Sequence, residues 1–352
     1  MSLSSETLAN LIAGSSPGMT PHAAMASARA AQEIRVNGVT ARLESPESLA
    51  LQSIMISHGE LLSDTVKARL ASVSLFGVES SYINAFAFLD GHGRENILVC
   101  DGLRQLVHYF ADLITVLGLL MKLRPGATIG NGEGNRHDEA ELFSMAGFVL
   151  LSDYLETGRF LPNLHEMLGE QHRQNVRHGF MAAMIFVMLH ELAHLHLGHV
   201  LLDRPKSEAA ALALLEPERL SVEQQDELDA DAQALQWIEG DYRGPIQSSL
   251  IFLMGSHAFV EAFSGGLSQS HPLSINRLSR LAHAAQLPAD ERDIVHGWIT
   301  DRARNFRELA AARSASGGSI RANIYRALSV EQAWTVVNEV KRRVATEHGH
   351  LE

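Results

Sequence analysis

Apolar residues recur along the chain with two periods, and the changes of period mark out the elements. From about residue 58 to 73, HGELLSDTVKARLASV places them at helical spacing. SSYINAFAF and ENILVCD then read as two strands joined by a short turn around Asp90-Gly91-His92-Gly93. A 3.6-residue period returns in DGLRQLVHYFADLITVLGLLMKL and predicts a helix starting near Asp101. The Gly/Asn-rich stretch 127–140 marks a loop or boundary. Beyond it the pattern predicts helices over about 138–157, 166–203, 220–239, 247–264, 273–286 and 290–313, with a last one over about 329–346 after SASGGS. The expected fold class is α+β, mostly α, with a small sheet near residues 80–101.

Residues 1–55, rich in Ala, Ser and Gly and carrying Pro17, Pro21 and Pro46, read as an N-terminal arm, weakly ordered or helical. The first residues, MSLSSETLANLIAGSS, lack the basic and apolar regions of a signal peptide. The longest apolar run, Phe180 to Leu189, is about half of the roughly 20 residues that cross a bilayer, so a buried helix is expected and no membrane span. A cytoplasmic location follows by default. Leu351-Glu352 is compatible with a cloning scar and is set aside.

Composition narrows the chemistry. The 352 residues include 29 Lys+Arg against 41 Asp+Glu, a net charge of −12, which argues against a partner made of nucleic acid. One cysteine excludes a disulfide framework and a thiolate zinc site, and leaves Cys100 as a small strand residue. The chain also holds 18 histidines, and their placement matters more than their number.

Four of them fall in the ten residues from His190 to His199. His190-Glu191-Leu192-Ala193-His194 is an H-E-x-x-H motif, the zincin signature. At about 100° per residue, His190 and His194 stand about 40° apart on a helix, so both imidazoles can reach one zinc ion. Glu191 lies beside that face, where a base acting on water activated by the metal belongs. On the same helical wheel His196 and His199 lie about 240° and 180° from His190, off the metal face. The apolar GFMAAMIFVML leading into the motif supplies the rigid support such a site needs. His172 and His178 read as solvated, and the Lys-Arg-Arg run at 341–343 as a charged helix face.

A catalytic zinc needs a third protein ligand. Leu197 and Val200 stand where a metzincin has Gly and His, so that arrangement fails. Glu208, Glu216, Glu218, Glu223 and Glu227 are the candidates. Glu227 is favoured, because QDELDADAQALQWI is a clear helix and Asp231, one turn on, is placed to hydrogen-bond a ligating imidazole.

Glu227-Leu228-Asp229-Ala230-Asp231 after the H-E-x-x-H motif resembles the E-x-x-A-D pattern of the gluzincin family that contains the CAAX prenyl endopeptidase and a heat-shock membrane protease (metallopeptidase family M-48). Asn84-Ala85-Phe86-Ala87 with the later Asp101-Gly102-Leu103, and His271-Pro272 with Arg277, resemble two further elements of that family in the same order. The resemblance spans roughly residues 60–285 and implies a zincin-like peptidase domain over 56–290, with an insertion at about 121–180 and a helical extension over 291–352. It lacks the family's membrane spans and points to a soluble type.

The resemblance implies one zinc ion per chain held by His190, His194 and Glu227. It implies Glu191 as general base, His271 as a catalytic group at the oxyanion, Asp231 and Arg277 as supporting residues, and Asn84, Ala85 and Phe86 as an edge along which a peptide or protein substrate lies. The expected function is a soluble zinc metalloendopeptidase. Two alternatives stand beside it: a zinc-stabilised regulatory or binding module with little catalysis, and a latent protease gated by the 121–180 insertion or the N-terminal arm. A regulatory partner or a homo-oligomer is left open.

Overall fold

The run Phe180 to Leu189 is indeed helical and almost wholly enclosed, and the other elements are arranged around it. The computed structural model describes residues 34–36, 39–41, 46–57, 62–80, 83–90, 92–122, 135–158, 161–200, 221–238, 243–264, 272–314 and 328–352. Strands β1 (Ile34–Val36) and β2 (Val39–Ala41) pair antiparallel, where a weakly ordered or helical arm was expected. Helices α1 (Pro46–Ser57) and α2 (Asp64–Ala71) precede a sheet of β3 (Ser74–Val78), β4 (Ala85–Leu89) and β5 (Glu95–Cys100). Helices follow almost without interruption: α3 (Asp101–Lys122), α4 (Asn135–Thr157), α5 (Glu170–His196), α6 (Val222–Gln236), α7 (Arg243–Ser264), α8 (Ser274–Ala284), α9 (Ala289–Ser314) and α10 (Val330–Glu347). The fold is α+β and mostly α, as its patterning predicts.

The sheet differs from the expected pair of strands. β5 is central, antiparallel to β4 (Ala85↔Val99 to Leu89↔Glu95) and parallel to β3 (Ser74↔Asn96 to Val78↔Cys100). β3 was not foreseen, because SLFGV follows helix α2 directly and shows no alternation of its own. Its strand conformation comes from β5 on one side and from α1, whose Ser48 hydroxyl accepts the Gly77 N–H at 2.8 Å and donates to its carbonyl at 3.2 Å. The β4–β5 turn is as expected. Asp90 accepts the N–H groups of His92 and Arg94, and Gly93 takes the left-handed φ of +74° that glycine tolerates best.

Helix α5 lies against β4, α3, α6 and α7, and its buried Phe180, Met184, Phe186, Met188 and Leu189 fix it in the core. Each such side chain contributes about 1.5–3 kcal/mol on burial, so the helix is a stiff base for what its last turn carries. It ends sooner than the predicted residue 203. Gly198 adopts φ +73° and the chain folds back, with the N–H groups of Leu197 and His199 returning to the carbonyls of Ala193 and His194. The start of α5 is tied to the far end of the chain: Gly169 N–H donates to the Leu351 carbonyl, and Leu351 N–H to that of Met167. Leu351, set aside in the sequence reading, is buried and takes part in the packing.

By length and composition Asp101–Met121 and Glu170–His196 could cross a membrane, but 61% and 78% of their most apolar windows are buried inside the protein. Within the stretch read as an insertion, α4 packs on α3 and α10 and buries Phe143, Phe148 and Leu151, so it is part of the core.

Candidate metal centre

His190 and His194 occupy the last two turns of α5, and Glu227 the middle of α6 packed alongside. The register of α6 is set at its start by a capping box, in which Ser221 Oγ accepts the Gln224 N–H and the Gln224 side chain accepts the Ser221 N–H. The two imidazole Nε2 atoms stand 3.1 Å apart. Glu227 carboxylate oxygens lie 3.2 Å from His190 Nε2 and 3.4 Å from His194 Nε2. Atoms bound about 2.0–2.1 Å from a tetrahedral ion are about 3.3 Å apart, so the three donors are spaced for one zinc ion. The donor set, two imidazoles and a carboxylate with no thiolate, suits that metal and leaves a fourth position for water or substrate. Of the other candidate ligands, Glu223 lies a turn away and outside the cluster, while Glu208, Glu216 and Glu218 lie outside the described residues.

Each imidazole is oriented from behind. His190 Nδ1 is 2.9 Å from Asp231 Oδ1. Asp231 in turn receives two hydrogen bonds from Arg277, at 2.8 Å to Nε and 2.7 Å to Nη2. Arg277 comes from α8, whose start is anchored where Glu261 accepts the Ser274 N–H at 2.7 Å, and its guanidinium also stands 3.8 Å from Glu227. His190, Glu227, Asp231, Ser274 and Arg277 are buried, and Glu261 is half-buried. Burial alone would raise the Asp231 carboxyl's pKa, but Arg277 and His190 hold it down at about 2. Burial likewise opposes charge on His190, but the Asp231 and Glu227 carboxylates outweigh it and push the imidazole up to about 10. A place that holds a proton this firmly between carboxylates favours a cation, and the C-terminal end of α5 adds the negative end of its dipole.

The partner of His194 is one that sequence reasoning missed. The turn at Gly198 brings His199 back, with its Nδ1 3.0 Å from His194 Nδ1 and its Nε2 3.4 Å from Asp226 Oδ1. With His199 Nε2–H directed at Asp226, His199 Nδ1 accepts from His194 Nδ1–H and leaves the His194 Nε2 lone pair facing Glu227. His199 therefore lies off the face that His190 and His194 share, and it fixes the tautomer of His194. The signal was present in Gly198, a helix-ending residue beyond which the helical wheel no longer applies. His196 is exposed and meets the Trp237 ring at a steep angle, away from His190 and His194.

Glu191 is buried beside the cluster, and burial raises its pKa above the ordinary carboxylate range. His190, His194 and the backbone N–H of Ala87 lower it in part. That N–H belongs to the edge strand. Cys100 N–H bonds the Asn84 carbonyl, so with the observed register the backbone groups of Phe86 and Phe88 face β5, and those of Ala85, Ala87 and Leu89 face outward. The expected trio Asn84, Ala85 and Phe86 is thus resolved by geometry. Ala85 presents its backbone to the outer edge, Asn84 precedes the strand and accepts the Ala85 N–H at 3.0 Å, and Phe86 turns its backbone inward. Ala87, just beyond the trio, is the residue in contact with Glu191. His271 lies outside the described residues. Cys100 is fully buried, and burial with the neighbouring Asp101 pushes its thiol up to about 12, which leaves it inert.

The model of the Peptidase U49 family matches residues 154–299. That stretch contains α5, α6 and α8 and therefore every described histidine, carboxylate and arginine of the cluster. The match supports a peptidase, acting on peptide or protein substrates, and does not single out family M-48. No curated protein and no solved structure matches the chain.

Proposed function

We propose that the chain is a zinc-dependent endopeptidase, with His190, His194 and Glu227 as metal ligands and Glu191 as general base. The observation that carries this reading is the spacing of two imidazole nitrogens and the two oxygens of one carboxylate, at 3.1, 3.2 and 3.4 Å, with a buried carboxylate beside them. Zinc bound there would supply a Lewis acid that polarises the scissile carbonyl and acidifies water. Glu191 takes the proton of the attacking water and delivers it to the leaving amine, a double task that a carboxyl raised by burial suits. Asp231 and His199 hold the two imidazoles in their metal-binding tautomers. A peptide laid along the outer edge of β4 donates to the Ala85 carbonyl, whose N–H is held by Asn84, and is guided past Glu191. The resemblance to family M-48 adds His271 as the group stabilising the oxyanion. Chelation followed by gel filtration is expected to abolish cleavage of an unstructured protein, and one equivalent of Zn2+ to restore it; full activity of metal-free protein would refute the reading.

A further inference from the structure

A second cluster of two imidazoles and a carboxylate stands apart from the first. His108 and Asp112 lie one turn apart on α3, and His165 comes from the 3-10 turn His165–Met167 that leads into α5. Asp112 is 2% exposed. Its Oδ1 is 3.0 Å from His165 Nδ1 and its Oδ2 3.8 Å from His108 Nδ1. These values bracket the separation of about 3.3 Å between ligands of one tetrahedral zinc ion. All three residues can bring a donor within 4.8 Å of the others. The edge of the Phe180 ring, 5.0 Å from the His108 ring, limits how far that imidazole turns away.

Charge balance points the same way. Burial raises the Asp112 carboxyl's pKa, and the imidazoles of His108 and His165 are the groups that pull it back. Among the described residues no Lys or Arg pairs with Asp112. Arg104, the nearest on α3, is hydrogen-bonded to Asp101 at 2.6 Å, and Arg177 acts on His108 only from a distance. One protonated imidazole would balance the buried carboxylate but leave the second ring without a charged partner of its own, and two protonated rings would face each other across 5.6 Å. A divalent ion serves the carboxylate and both rings at once. His108 is partly exposed, so the ion has a path from solvent.

We infer that His108, Asp112 and His165 form a second zinc site, separate from His190, His194 and Glu227, that fastens α3 to the turn entering α5. Its three protein donors are imidazole and carboxylate, the set that zinc shares with the first centre. The site does not depend on the peptidase reading, and the test separates the two.

Full-length protein equilibrated with buffered Zn2+, then desalted, is analysed for metal content alongside His108→Gln, Asp112→Asn and His194→Gln. His108→Gln changes a partly exposed residue and is expected to fold, which circular dichroism checks. The expected result is two zinc ions in the wild type and one in each variant, with the thermal stabilisation given by the second equivalent missing from His108→Gln. A sole zinc ion lost in His108→Gln but kept in His194→Gln would uphold this site and remove the metal from the proposed active centre. A wild type holding one zinc ion, lost in His194→Gln and retained in His108→Gln, would overturn the inference.

Discussion

The two histidine–carboxylate clusters share an arithmetic and differ in their surroundings. Both set two residues one turn apart on a helix and take the third donor from another element. At the first, each imidazole has a partner behind it: Asp231 held by Arg277 for His190, and His199 facing Asp226 for His194. At the second, the imidazoles of His108 and His165 meet Asp112 and each other, with no such backing among the described residues. Among the described residues, only the first has a further carboxylate, Glu191, buried beside it and touched by a strand edge. On the proposed readings, the contrast separates a place that would bind an ion from one that would also use it. Backed imidazoles, a buried carboxylate and a strand edge occur together once among the described residues.

Removing parts of that backing tests the contrast most severely. Arg277→Met leaves Asp231 buried without its guanidinium, and breaking such a pair costs about 3–5 kcal/mol. Chemical denaturation is expected to show a loss of that order, with no comparable loss for Arg280→Met on the exposed side of the same helix. His199→Leu deprives His194 Nδ1 of its acceptor. Zinc affinity at the first centre is expected to fall by about 10–100-fold in competition with a chelating dye, while His196→Leu leaves it unchanged. Equal effects of the two changes would place His199 outside the centre.

A smaller change probes the base. Ala87→Pro removes the N–H that stabilises the charged form of Glu191 but keeps an edge strand intact, since that N–H faces away from β5. A carboxyl that loses a donor rises further in pKa, so less of it is ionised at a given pH. The acidic limb of kcat/KM, expected above the ordinary carboxylate range in the wild type, should move to higher pH in the variant, read from a pH–rate profile. An unmoved limb would assign it to another group.

What the sequence made legible was local. His190, His194, Glu227 and Asp231 are tied by spacings within single helices, and those spacings survive into three dimensions because α5 and α6 are regular over that span. The β4–β5 hairpin was readable from Asp90 and the glycines beside it. What escaped depended on contacts far along the chain or on a helix stopping. β3 is a strand because β5 lies next to it; Leu351 is buried because α10 returns it to Met167 and Gly169. His199 was placed by a helical wheel carried one turn too far, across Gly198. The division of backbone groups along β4 requires the register, which no pattern in Asn84 to Phe86 contains.

The most direct test of the central claim is a comparison of wild type with Glu191→Gln, both loaded with zinc, on an unstructured protein substrate. The substitution keeps the shape of the side chain and removes only its ability to take and return a proton. The account predicts unchanged zinc content at the first centre and a fall in kcat of about 10³-fold or more. Cleavage by Glu191→Gln at the wild-type rate, with the metal in place, would contradict it.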